Sequence, residues 1–206
     1  MQVFGYERPS HGNSTSPRSD LFGDAECVRL AIDSVKGDVV LVGHSYGGNV
    51  ITVAGHDHPA VKHLVYLTAF VPLETESGVD LILSMPGDLS GPDVLVVDDT
   101  FTSVVNERFV GPAFYGDCSA EDRAAAAAQL QPQNMISLTQ APGVAAWAST
   151  PSTFVVCTLD KAIVPELQRM MAERTTHSVE IEASHSPFWS QPDAVADVLA
   201  HVVNSL

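Results

Sequence analysis

Three residue types, far apart in the chain, could together carry out nucleophilic acyl transfer: a serine in a glycine-lined turn, a histidine ahead of the last helical pattern, and an aspartate between them. The serine is Ser45, in Val39-Val40-Leu41-Val42-Gly43-His44-Ser45-Tyr46-Gly47-Gly48. A Gly-x-Ser-x-Gly turn between a buried strand and a helix holds its serine in a strained backbone, and Gly43, Gly47 and Gly48 provide the small neighbours this requires. The helix that follows directs backbone N–H groups toward developing negative charge, which makes the Tyr46 N–H the expected oxyanion donor. A serine hydroxyl is a poor nucleophile until a base takes its proton, and the ordinary pKa of histidine suits that task. His185, in Ala183-Ser184-His185-Ser186-Pro187, is the expected base, because it follows an apolar run and precedes the final helix. An imidazole in this role needs a carboxylate to fix its tautomer. Asp160, just after the run 154–157, is the expected partner, with Glu74 as the rival acid. His44 is expected to support the turn, while His11, His56, His58, His63, His177 and His201 read as solvated residues of turns and helix surfaces.

Short apolar runs alternating with helix-period segments must position these residues, which is the pattern of parallel βα units. Residues 3–6 form a weak first run. Val28, Ala31, Ile32 and Val35 fall at i, i+3, i+4 and i+7, one face of a helix. The runs 39–42, 64–67 and 154–157 are continuous, as expected of strands buried on both sheet faces, and 179–181 is a shorter one. A helix is expected from Pro165, with Leu167, Met170 and Met171 facing inward. Another is expected from Pro192, with Val195, Val198, Leu199, Val202 and Val203 as its stripe. Residues 72–150 break this rhythm with Pro, Gly, acidic pairs and the alanines 124–128, which favour a helix on propensity alone. An insertion between two parallel strands reads as a cap over the strand ends, and Trp147 reads as either a pocket-lining or a core residue. The domain assignment is one unit, residues 1–206, with the cap inside it.

Composition bounds the function. Lys and Arg number 10 against 25 Asp and Glu, a formal net charge of −15. That field opposes nucleic acid and anionic lipid surfaces. Hydrophobic residues make up 45% of the chain, enough for a sizeable core. The three cysteines (Cys27, Cys118, Cys157) are too scattered for a disulfide framework or a zinc ribbon and read as reduced thiols. No His/Cys/Asp/Glu cluster has metal-ligand spacing, and no apolar stretch reaches the roughly 20 residues of a membrane helix. The start of the chain has no signal-peptide pattern. The expectation is a cytoplasmic protein without a metal site, with a small molecule as its partner and a homodimer as a candidate assembly.

Longer stretches carry a resemblance. Leu41-Val42-Gly43-His44-Ser45-Tyr46-Gly47-Gly48, then Val61-Lys62-His63-Leu64-Val65-Tyr66-Leu67-Thr68-Ala69-Phe70-Val71-Pro72, are similar to the small bacterial esterases of the α/β-hydrolase superfamily related to plant hydroxynitrile lyases and methyl-ester esterases. So are Cys157-Thr158-Leu159-Asp160-Lys161, Gln168-Arg169-Met170-Met171-Ala172, His185-Ser186-Pro187-Phe188 and Gln191-Pro192-Asp193. The chain order Ser45, Asp160, His185 is the one that superfamily uses. The resemblance implies an α/β-hydrolase fold, a mostly parallel sheet with helices on both faces and a small inserted cap. It also implies a cofactor-free Ser-His-Asp site acting on modest-sized carboxylic esters.

Val3-Phe4-Gly5-Tyr6-Glu7-Arg8-Pro9-Ser10-His11-Gly12-Asn13-Ser14 resembles the family's second strand and the motif after it, with Glu7 in place of an aspartate and Ser10 in place of a glycine. The family's first strand, its His-Gly loop and the next helix, about 25–30 residues, have no counterpart ahead of it. The chain is therefore expected to be N-terminally shortened, with strand groups unpaired unless the 3–6 strand moves over. One of two oxyanion donors would then be missing, a loss worth about 10²–10³ in rate. His11-Gly12 as a substitute loop lacks the second glycine. Three activities follow as expectations: a serine esterase, a hydroxynitrile lyase, or a catalytically impaired ligand-binding protein. Ser186, where lyases of this family carry lysine, disfavours the second.

Overall fold

The runs 64–67 and 154–157 are apolar at every position because the strands they form are covered on both faces. In a computed structural model, which describes residues 19–87, 89 and 93–206, the chain begins with α1 (Leu21–Ser34), β1 (Val39–Ser45), α2 (Gly47–Ala54) and β2 (Val61–Ala69). An inserted segment follows, with α3 (Gly78–Ser84), β3 (Leu95–Val97), β4 (Thr102–Val105), α4 (Glu107–Phe109), a π-helical turn (Val110–Phe114), α5 (Ala120–Ala127), β5 (Gln133–Asn134) and α6 (Ile136–Thr139). The main unit resumes with β6 (Ser152–Cys157), α7 (Pro165–Ala172), β7 (His177–Ile181), α8 (Pro187–Ser190) and α9 (Pro192–Asn204). The described strands of the main sheet run β1-β2-β6-β7, all parallel.

Side chains alternate across a strand, so each run feeds two cores. Leu64, Tyr66, Phe154 and Val156 join Leu21, Ile32, Val50, Ile51, Leu167 and Met171 of α1, α2 and α7. Val65, Leu67 and Val155 face the other way, onto Val195 and Val202 of α9. Phe154 is completely buried, and truncating such a ring to alanine costs about 3–5 kcal/mol.

The helix expected from Pro165 and the one from Pro192 both start with that proline in the first turn, where its missing N–H has no intrahelical partner to lose. α1 begins earlier than its apolar spacing indicated, because Asp20 caps it by accepting from Gly23 N. The alanine run forms α5, capped by Ser119. Residues 3–14 lie outside the described residues.

Three local expectations change. β1 is the outer strand of the described sheet, and Val42 is 44% exposed rather than covered on both faces. His58 and His63 are buried, not solvated. His63 sits on β2 in the middle of the sheet, where its Nε2 is 2.9 Å from Thr153 Oγ1 of β6, and His58 Nε2 is 3.2 Å from Asp33 Oδ1. A hydroxyl on the next strand meets the first ring and a neighbouring carboxylate the second. Trp147 packs on the main core and donates its indole N–H to Pro72 O at 2.9 Å, so its apolar body is core and its polar edge is satisfied by backbone.

Candidate active site

Parallel strands bring their C-terminal ends to one edge of the sheet, where the loops leaving β1, β2, β6 and β7 gather. β1 ends in Ser45, whose φ is 52°. That left-handed conformation costs a non-glycine residue about 1–3 kcal/mol and persists only where its surroundings impose it. They do so by close backbone approach. A Cβ on Gly43 would lie 2.5 Å from Gly47 O, and one on Gly48 would lie 2.0 Å from Phe70 O. Phe70 N donates to Ser45 O at 3.2 Å, and the Tyr46 hydroxyl donates to the buried Asp24 of α1 at 2.9 Å. The residue after the serine is thus anchored at its far end, with its N–H at the start of α2.

β2 contributes through an irregularity. His44 pairs with Leu67, but Ser45 pairs with Ala69, so Thr68 is passed over in the register and has φ 37°. A residue skipped in this way can aim its side chain out of the strand's alternation. The Thr68 hydroxyl donates to Asp160 Oδ2.

Asp160 and His185 are almost fully buried, at 2% and 1% exposure. His185 Nδ1 lies 2.7 Å from Asp160 Oδ2. The same oxygen accepts from Thr68 Oγ1 and from Gln168 Nε2 at 3.1 Å, while Oδ1 accepts from Ala162 N at 2.8 Å and Ile163 N at 3.1 Å. A carboxylate in a ring of donors accepts and does not donate, which assigns the hydrogen to Nδ1 and leaves the lone pair of a neutral imidazole on Nε2. Gln168 is itself completely buried: its Oε1 accepts from Cys157 N at 2.8 Å and its Nε2 reaches Ile163 O at 2.6 Å. Burial pushes the nearby Cys157 thiol far up, with Asp160 adding to the effect, so it stays protonated and unreactive.

The structure brings Asp160 and His185 into direct contact. Ser45 is joined to them through its neighbour: His44 Nε2 lies 2.7 Å from His185 O, and the two rings are 4.8 Å apart. A direct Ser45–His185 hydrogen bond is not among the described contacts; such bonds are commonly long without substrate and tighten when it binds. Phe114 and Phe188 flank the pair, with ring centres 5.3 Å from His185 and 5.0 Å from His44. Glu74 is exposed and outside this network. Thr68 and Gln168 had no assigned role in the sequence. Gln168 carried one usable signal, a polar residue beside Leu167 and Met171 on the buried side of α7.

Among the described residues no group of three or more His, Cys, Asp or Glu side chains could hold a metal ion, and no helix is long and apolar enough to cross a membrane.

The fold and this cluster at the sheet's C-terminal edge define a class, and comparison with known proteins agrees. The chain belongs to the alpha/beta hydrolase family, whose model matches residues 2–198. It is 27% identical over 199 residues to the probable hydrolase R7 of a Phoma species, covering 90% of this chain and 80% of that protein. It is also 27% identical over 184 residues to methylesterase 1 of Arabidopsis thaliana, covering 81% and 69%. Among solved structures, polyneuridine aldehyde esterase shares the fold with a TM-score of 0.78 at 22% identity, covering 89% of this chain and 80% of that one. The protein is thus a hydrolase of the α/β type with esterases among its relatives.

Proposed function

We propose that the protein is a serine esterase that cleaves small carboxylic esters through an acyl-enzyme on Ser45. The observation that carries this reading is the buried Asp160–His185 pair, with Nδ1 2.7 Å from Oδ2, at the same sheet edge as the strained Ser45 turn. In the first half-reaction Ser45 Oγ bonds to the ester carbonyl carbon while His185 Nε2 takes its proton. The tetrahedral oxyanion is met by the Tyr46 N–H at the start of α2. His185 then protonates the departing alkoxide, and the C–O bond breaks. In the second half-reaction water, deprotonated by the same Nε2, releases the carboxylic acid and restores Ser45. Positioned base catalysis supplies about 10²–10⁴ in rate and each oxyanion donor about 10²–10³. Asp160 orients the ring and stabilises its charged form. Residues 72–150 act as the cap over this edge. The esterase names of relatives support the choice of carboxylic esters.

The test is hydrolysis of p-nitrophenyl acetate by the wild type and by Ser45→Ala, together with labelling by a fluorophosphonate probe. Turnover and labelling that both vanish in Ser45→Ala support the reading. A folded wild type that neither labels nor turns over any short ester overturns it. Cyanide release from mandelonitrile that depends on Ser45, without ester turnover, moves the reading to a lyase.

A further inference from the structure

His185 is held by the main sheet through Asp160, but its chain neighbour is held by the inserted segment. Asp117, in the loop between the π-helical turn and α5, accepts from Ser184 N at 3.0 Å through Oδ2 and from Ser184 Oγ through Oδ1. Ser184 is buried, and Phe114 O lies 3.4 Å from the same hydroxyl. The Phe114 ring meets the His185 ring edge-on at 5.3 Å. The loop carrying Asp117 is fixed in turn: Arg123 of α5 donates through Nε to Cys118 O at 3.0 Å and through a terminal nitrogen to Gly116 O at 3.2 Å, the carbonyls on either side of Asp117. Val110, Tyr115, Cys118 and Ala126 of the insertion form a small separate core, against which Trp189 of α8 packs. Burial raises the Asp117 carboxyl, but hydrogen bonding, from Ser184 first and from Ser190 and its own backbone besides, outweighs it, so the group sits below its ordinary value and is charged at neutral pH. Past Ile181, where the strand register of β7 ends, Leu159 N donates to Ala183 O at 3.0 Å and His44 Nε2 lies 2.7 Å from His185 O, and Asp117 holds Ser184 between those two points.

We infer that Asp117 is a positioning residue for His185, acting through Ser184, so that the inserted segment sets the placement of the base as well as covering the site. The inference rests on the esterase reading for its kinetic consequence, though not for its structural one. Asp117→Ala removes both hydrogen bonds to Ser184. Asp117→Asn preserves them in changed polarity: the amide oxygen accepts from Ser184 N, and the amide N–H₂ donates to Ser184 Oγ, which is able to accept.

The experiment combines p-nitrophenyl acetate kinetics with proton NMR of the downfield His185 Nδ1–H resonance, in the wild type and in Asp117→Ala, Asp117→Asn, Ser184→Ala and the Asp117→Ala/Ser184→Ala double variant. A misplacement of a catalytic group by about 1 Å costs about 10²-fold. The expected result is a fall in kcat of about 10–100-fold in Asp117→Ala with KM changed less than kcat. The resonance shifts or broadens in that variant, and Asp117→Asn recovers most of both. Adding Ser184→Ala to Asp117→Ala should cost little further, because the second substitution removes a hydroxyl that has already lost its Asp117 acceptor and keeps only the longer approach to Phe114 O. Wild-type kcat and an unmoved resonance in Asp117→Ala overturn the inference, as do fully additive losses in the double variant. If Asp117→Ala does not fold, Ser184→Ala alone must lower kcat and move the resonance, and if it does neither the inference falls. The NMR readout needs no turnover, so a failed esterase assignment and a failed positioning role give different results.

Discussion

His44 Nε2 lies 2.7 Å from the carbonyl oxygen of His185, which ties the Ser45 turn to the loop that carries His185. A carbonyl only accepts, so His44 must donate through Nε2, and that nitrogen has no lone pair to offer Ser45. The two histidines therefore divide the labour: one is a strut between loops, and the other holds its Nδ1 against Asp160.

His44→Ala removes the strut without touching the Asp160–His185 contact. The expected loss in kcat/KM for p-nitrophenyl acetate is about 10–100-fold, with a far-UV circular dichroism spectrum like the wild type's. Unchanged kcat/KM would show that the two loops hold their spacing without this bond.

Asp160→Asn should act mainly on the chemical step. An amide has one accepting oxygen where the carboxylate has two, and in either orientation its N–H₂ would face donors: Thr68, Gln168 and His185 at the Oδ2 position, or Ala162 and Ile163 at the Oδ1 position. The imidazole is then free to take the wrong tautomer, and kcat should fall by about 10⁴-fold. Stopped-flow or steady-state ester kinetics measures this directly.

Gly48→Ala tests the close approach that forms the turn. The added Cβ would meet Phe70 O at 2.0 Å, Phe70 N at 2.9 Å and the Ala69 Cβ at 3.0 Å, none of them the end of a flexible side chain that could yield. A loss of about 4 kcal/mol or more is expected, read as a lowered denaturation midpoint in urea. Ala at Gly143, where a Cβ meets nothing within 4 Å but φ is 70°, should cost far less; backbone strain there amounts to about 1 kcal/mol.

The buried His63 gives the fold an acid-side weakness. Burial pushes its pKa below the ordinary 6.5, with His177 adding to the effect, so the unfolded chain takes up a proton that the folded chain resists. Stability is then full above pH 6.5 and declines as the pH falls below it, because the unfolded state binds more protons there. His63→Gln retains a polar group near Thr153 Oγ1 and removes the titration. It should flatten part of the decline in urea midpoint between about pH 6.5 and 5; a slope equal to the wild type's would assign the decline elsewhere.

The strands β2 and β6 and the helices α7 and α9 were legible from order alone, because two-sided burial forces continuous apolar runs and one-sided burial forces a helical stripe. The contents of the insertion were less so. Its strands β3, β4 and β5 are two to four residues long and pair across segments with no apolar alternation to mark them.

The Ser45 turn is readable from the residues in order. Strand, glycines and helix are contiguous there, and the strain they impose is local. The same order puts Asp160 and His185 just beyond strands, since parallel strands deliver whatever follows them to one edge. The groups that surround those residues come together through folding alone. Thr68 meets Asp160 across 92 residues of chain, and Asp117 meets Ser184 across 67. A threonine passed over in a strand register, or an acid in an exposed loop, looks ordinary in sequence. Each acquires its role from a hydrogen-bonding partner that folding brings within about 3 Å, and no periodicity or spacing encodes that meeting.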